Sequence, residues 1–171
     1  MAGRLVDLVD LARELPATAA IAGIDLGTKT IGVAISDLGR RMASPLKLIE
    51  RRKFTPDAEA LTALLAAREA AALVVGLPLN MDGSEGPRAQ ATRAFVRNLL
   101  PRLELPVAFW DERLSTVAVT RTLLEADTSR KRRAELVDKM AAAYILQGAL
   151  DRLRWMAAEA ADGQDQPRGQ T

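Results

Sequence analysis

The chain contains no cysteine and no histidine. Without cysteine there is no disulfide scaffold and no thiolate metal site, a composition suited to a reducing cytoplasm. Without histidine the commonest general acid–base is missing. So is every catalytic triad that needs imidazole, and zinc centres of the usual kind. A metal bound here has to be held by oxygen ligands, which selects Mg2+ or Mn2+. No apolar run approaches the roughly 20 residues that span a bilayer. Met1–Pro16 carries Asp7, Asp10 and Glu14 where a signal peptide has its apolar stretch. The expected location is cytoplasmic.

What is present is enough for one domain. The chain has 171 residues, 49% hydrophobic and 27% charged, so a core can be built and wholesale disorder is not expected. The formal net charge is only +2, yet the pI is about 9.3. The basic excess is local. Arg130, Lys131, Arg132 and Arg133 form one run; Arg40 and Arg41, and Arg51, Arg52 and Lys53, form two more clusters. Such patches suit a polyanionic partner, and equally a solvated surface.

Periodicity predicts the elements. Leu5, Leu8, Val9, Leu11 and Leu15 mark a short amphipathic helix over residues 4–15, closed by Pro16. Residues 19–25 and 30–36 read as strands joined by a short turn, hence an antiparallel hairpin. A third strand is expected over about 42–49, and a helix from Thr55 to about Glu69. Residues 72–76 and 106–110 are short apolar strands of the parallel, doubly buried kind. Between them lie a turn-rich loop, Pro78–Pro87, and a helix over 88–100. Ser115 is expected to cap a helix to about Glu125, followed by a basic loop over 127–133 and a last helix over about 134–156. The sum is one α/β domain: a mixed five-stranded sheet, antiparallel meander plus βαβ crossovers, with helices on both faces. Its core is expected over about 19–157, with a helical extension over 1–18 and a disordered tail over 158–171.

Acids interrupt this apolar frame in three places. Asp25 ends the first strand, Asp111 and Glu112 end the last, and Asp138 lies in the last helix. The helix face of Asp138 carries Ala134, Ala141, Ala142, Ile145 and Ala149, residues small enough to lie close to a sheet. A lone acid there also reads as a first-turn carboxylate favoured by the helix dipole. Three clustered carboxylates are costly: two charges about 5 Å apart repel by roughly 3 kcal/mol at an effective dielectric near 20. A divalent cation compensates that repulsion, and it supports phosphodiester hydrolysis without histidine. Alternation sends Asp111 and Glu112 to opposite faces, and does not by itself say which one joins the other acids.

Four segments, in order, carry a family resemblance: Gly23–Ala34, Val74–Gly83, Asp111–Thr116 and Val137–Gln147. They resemble the signatures of the YqgF family of pre-16S rRNA nucleases and Holliday-junction-resolvase-like proteins. The resemblance covers residues 20–151 and implies an RNase H-like fold and a role in 5′-end maturation of pre-16S rRNA. It also implies an acidic, metal-holding catalytic site at Asp25, Glu112 and Asp138; the choice of Glu112 over Asp111 rests on the family pattern. Lys29, Asn80, Arg113 and the run Arg130, Lys131, Arg132 and Arg133 are the candidate nucleic-acid contacts. Lys29 equally suits plain solvent exposure, Asn80 and Asp82 turn formation, and Arg113 pairing with an acid.

The expected partner is nucleic acid, with pre-rRNA ahead of branched DNA, in a monomer or homodimer, and a pre-ribosomal particle is a further candidate. Two alternatives keep the fold: a Holliday-junction DNA resolvase, and a non-catalytic nucleic-acid-binding protein in translation or transcription. The Asp25–Thr28 segment also resembles the phosphate hairpin of actin-like ATPases, but a single domain cannot close a nucleotide between two lobes.

Overall fold

The computed structural model describes residues 2–114 and 130–164, with the backbone alone described over 130–139 and at 164. Its centre is a sheet in the order β1-β6-β5-β2-β3-β4. Strands β2 (Ile21–Leu26), β3 (Thr30–Ser36) and β4 (Ala43–Glu50) form the expected antiparallel meander. Strands β5 (Ala72–Leu77) and β6 (Pro106–Asp111) follow in parallel, β5 beside β2 and β6 beside β5. β4 is an edge. It carries Pro45, an exposed Lys47 and a register shift opposite Val33/Ala34.

The sheet has six strands where five were expected. The added strand, β1 (Arg4–Leu5), runs parallel to β6. Gly3 N–H donates to the carbonyls of Leu100 (3.0 Å) and Leu103 (2.6 Å), and Val6 N–H to that of Val107 (2.9 Å). A Cβ on Gly3 would lie 2.9 Å from Leu103 Cβ, so only glycine passes there. Helix α1 (Leu8–Glu14) therefore begins four residues later than the apolar spacing suggests. Asp7 caps it, its carboxylate accepting from Asp10 N–H at 2.7 Å.

Alternation sorts the strands onto two cores. Ala22, Ile24 and Leu26 of β2, Leu73 and Val75 of β5 and Val107 of β6 pack beneath α2 (Phe54–Ala67) and α3 (Pro87–Leu99). Ile21, Ala72, Val74, Ala108 and Trp110 face the other way, toward α1 and the long helix α4 (Arg130–Gln164). Burial on both faces is why these strands read as unbroken apolar runs. Ala141, Ala142 and Ala149 of α4 are buried against the sheet. Added Cβ atoms would lie 2.7 Å from Leu146 Cβ at Gly23 and 2.5 Å from Ile145 Cδ1 at Gly76. Small residues on both partners set how closely α4 approaches the sheet.

Helix α4 departs from expectation at both ends. It starts at Arg130, so Arg130–Arg133 form its first turn, where a basic loop was expected to run to Arg133. Arginine and lysine are good helix formers, and no glycine or proline interrupts the chain from Arg130 until Gly148. It ends at Gln164, through part of the expected disordered tail, because Ala157, Ala158, Ala160 and Ala161 favour helix. The expected helix from Ser115 to Glu125 lies outside the described residues. Among the described residues no helix is long and apolar enough to cross a membrane.

Candidate active site

The carboxyl ends of β2, β5, β6 and β4 share one rim of the sheet, as the strand pairings require. Asp25 lies one residue before the end of β2 and is 5% exposed. It shares a face with Ile21 and Gly23, the face covered by α4. Its cross-strand partner on β3 is Gly32. On the other side Ile24 pairs with Val75, which sets Asp25 level with Gly76. Asp25 is thus flanked on both neighbouring strands by residues without side chains. The sequence motif showed the glycines; only the register shows that two of them clear space around this carboxylate.

Glu112 opens the short 3-10 turn Glu112–Leu114 directly after β6, and is 9% exposed. A Cβ on Gly76 would lie 2.7 Å from its Oε1. The Glu112 carboxylate therefore lies over β5, above Gly76, on the α4 face and toward Asp25. This answers what alternation left open. Asp111 belongs to the opposite face, where its carboxylate accepts from Arg113 N–H (3.0 Å), Nε (3.1 Å) and Nη2 (2.7 Å). Those bonds hold the Asp111 carboxyl below its ordinary value of 3.8.

Helix α4 runs over this gap. Gln147 donates to the Arg41 carbonyl (3.0 Å) and accepts from Ala43 N–H (2.8 Å), beside the start of β4. The start of β4 lies at the rim opposite Asp25, so the amino-terminal half of α4 points toward the acids. Asp138 sits one turn before Ala142 and two turns before Ile145, the residue against Gly76. The backbone thus brings the position of Asp138 to the acidic end.

The nucleic-acid candidates fall into different surroundings. Lys29 is exposed in the β2–β3 turn, at the acidic rim. Arg113 takes the acid-pairing role: besides Asp111, its Nη1 donates to the Met81 carbonyl at 3.2 Å. Asn80 is a turn former, its Nδ2 donating to Ser84 Oγ at 2.9 Å. Asp82 Oδ1 accepts from Ser84 Oγ (2.6 Å) and Ser84 N–H (2.9 Å), which lowers the Asp82 carboxyl pKa. Arg130–Arg133 lie on the first turn of α4. Gly76 was missed as a site residue; the signal was a glycine inside an otherwise apolar strand. The site offers buried carboxylate oxygens beside glycines, of which Gly76 lets Glu112 and Ile145 pack close to the sheet. A hard divalent cation matches that donor set, and softer metals that need nitrogen or sulfur do not.

Comparison with known proteins shows the family. Residues 19–152 match the model of a family described as RuvX: Holliday junction resolvase. A Paracoccus denitrificans protein named "Putative pre-16S rRNA nuclease" is 66% identical over 85% of this chain and 92% of its own. A Rhizobium meliloti protein of the same name is 55% identical over 95% of this chain and 99% of its own. Among solved structures, T. thermophilus RuvC in complex with a Holliday junction substrate covers 80% of this chain and 96% of its own. That pair is 15% identical with a TM-score of 0.48, a likeness that bears on neither substrate nor mechanism.

The class is that of the nucleases, enzymes that hydrolyse phosphodiester bonds. The chain belongs to the RuvX family, the one its four motifs resemble as YqgF.

Proposed function

We propose that this nuclease processes the 5′ end of pre-16S rRNA during ribosome biogenesis in the cytoplasm, using Mg2+ or Mn2+ held by Asp25, Glu112 and Asp138. One observation carries the chemistry: two buried carboxylates, Asp25 near the end of β2 and Glu112 just after β6, lie on one face of the sheet, with Glu112 over Gly76 of the strand between them. The substrate is drawn from the names of relatives that match nearly the whole chain. A bound divalent ion supplies activation of water and stabilisation of the leaving oxygen.

The chain's own residues do the rest. Burial keeps Asp25 and Glu112 out of bulk water, where their charge acts most strongly on a bound cation. Gly76 leaves room for the Glu112 carboxylate to lie against β5, and Gly32 stands level with Asp25 on β3. Lys29 stands at the same rim, and the Arg130–Arg133 turn begins the helix that carries Asp138; both are proposed to hold flanking phosphates. Asn80 is proposed to act through the shape of its loop. Junction resolution is a second reading, favoured by the description of the family.

The test is a cleavage assay with Mg2+ or Mn2+, comparing wild type and Asp25→Asn. The substrates are an rRNA-precursor fragment, a generic single-stranded RNA and a four-way DNA junction. Cutting of the precursor by wild type alone, with binding retained in Asp25→Asn, is the expected result. Cutting of the junction alone would move the assignment to a resolvase. Tight binding with no cutting would move it to a binding protein.

A further inference from the structure

The rim holds a second set of cations that the site above does not use. β4 is antiparallel to β3 and so ends at the same rim as β2. There the chain continues as Arg51, Arg52 and Lys53, all exposed. Arg51 N–H donates to the Lys29 carbonyl at 2.8 Å, which joins this segment to the β2–β3 turn. The Arg51 guanidinium is fixed in place. Its Nη1 donates to the Gly27 carbonyl at 2.7 Å, and its Cζ lies over the Phe95 ring, 5.7 Å from the centroid. Arg52 N–H donates to both oxygens of buried Asp57 (3.1 and 3.3 Å), which fixes the backbone of the turn. Among the described residues no carboxylate forms an ion pair with Lys29, Arg51, Arg52 or Lys53.

The other flank of the rim is different. Beside Glu112 the basic residue is Arg113, and its guanidinium is taken up by Asp111 and the Met81 carbonyl. Among the described residues, the basic charge at the strand ends that no carboxylate takes up is therefore gathered on one side. It lies toward β4, about two strand spacings, or ~10 Å, from β2. That distance reaches phosphates next to one held at Asp25, not the scissile phosphate itself.

We infer that Lys29, Arg51, Arg52 and Lys53 form a phosphate-binding tract that carries the substrate strand away from the acids over the β4 end of the sheet. This rests on the nuclease reading for its direction, and on the geometry of the rim for its existence. Contacts of this kind position a backbone without reading its bases.

The experiment measures binding of a single-stranded RNA oligonucleotide, and of DNA of the same sequence, across a range of KCl concentrations. The full chain carries Asp25→Asn so that nothing is cut. Two variants are compared: Arg52→Gln with Lys53→Gln, which leaves the Arg51 anchor intact, and the same pair with Arg51→Gln. Each lost contact lowers the slope of log K against log salt by about 0.7 on a single strand, so about 1.4 is expected for the pair. An equal drop on RNA and DNA is the mark of backbone contact. An unchanged slope in the pair, with Asp25→Asn binding normally, overturns the tract and leaves the nuclease reading untouched. Protein without Asp25→Asn that binds but cuts neither RNA nor junction overturns the nuclease reading, while the slopes still decide the tract.

Discussion

Position 76 is where a single methyl group would matter most. An alanine there would drive its Cβ to 2.5 Å from Ile145 Cδ1 and 2.7 Å from Glu112 Oε1. Overpacking of this kind costs about 1–3 kcal/mol. Gly76→Ala is expected to lower the melting temperature and to cut cleavage more steeply than stability alone explains, since it also displaces a proposed ligand. Cleavage measured well below the melting temperature checks this; activity equal to wild type would remove Gly76 from the site. The pair Asp111–Arg113 gives a test in pH. The Asp111 carboxyl is held below 3.8 by Arg113, so the pair's stabilisation is present above the unfolded pKa and is lost as pH falls through the lower, folded value. Arg113→Met should therefore be less stable than wild type near neutral pH, with the gap closing as pH drops below about 3.8. Urea unfolding at several pH values reads it; a gap constant with pH would deny the linkage. At this scale the sequence made Asp25 legible, as an acid in an apolar run. It did not separate Asp111 from Glu112, because Phe109 and Trp110 are both apolar and pack on opposite faces.

Among elements, the strands facing both cores were legible because continuous apolar runs leave little else for them to be. β1 was not. Two residues show no alternation, and the strand exists through backbone bonds to β6 and to the turn after α3. The start of α4 was misplaced for a related reason: a run of four basic residues suggests solvent, and solvent-facing residues are as compatible with a helix as with a loop. α1 is held through Leu11, fully buried in the cluster under α4. Leu11→Ala should cost about 2–5 kcal/mol, the range for truncating a buried leucine. Thermal or urea unfolding measures it. A loss well under 1 kcal/mol would mean that the extension contributes little to the core.

For the whole molecule, the proposed cation links site to stability. With Mg2+ or Mn2+ at about 100 times its Kd, the folded state should gain about 2.7 kcal/mol. Asp25→Asn, which loses one of the proposed ligands, should respond less than wild type to added metal. Thermal melts with and without the ion read both effects. A wild type indifferent to saturating metal would count against a preformed site. The antiparallel meander, the βαβ crossovers and the helices on both faces were legible from the sequence; the order of the strands and which residues face each other across the rim were not, because both depend on pairing between distant segments. The free edge at β4 carries a further consequence, for how copies of the molecule meet. Pro45 withholds a donor, Lys47 brings charge, and the register shift disturbs the ladder beside it. Such an edge resists being extended by a strand from another copy. A two-fold assembly able to cut both arms of a junction would then be built through surfaces other than the β4 edge, leaving the rim of each protomer open to its own strand.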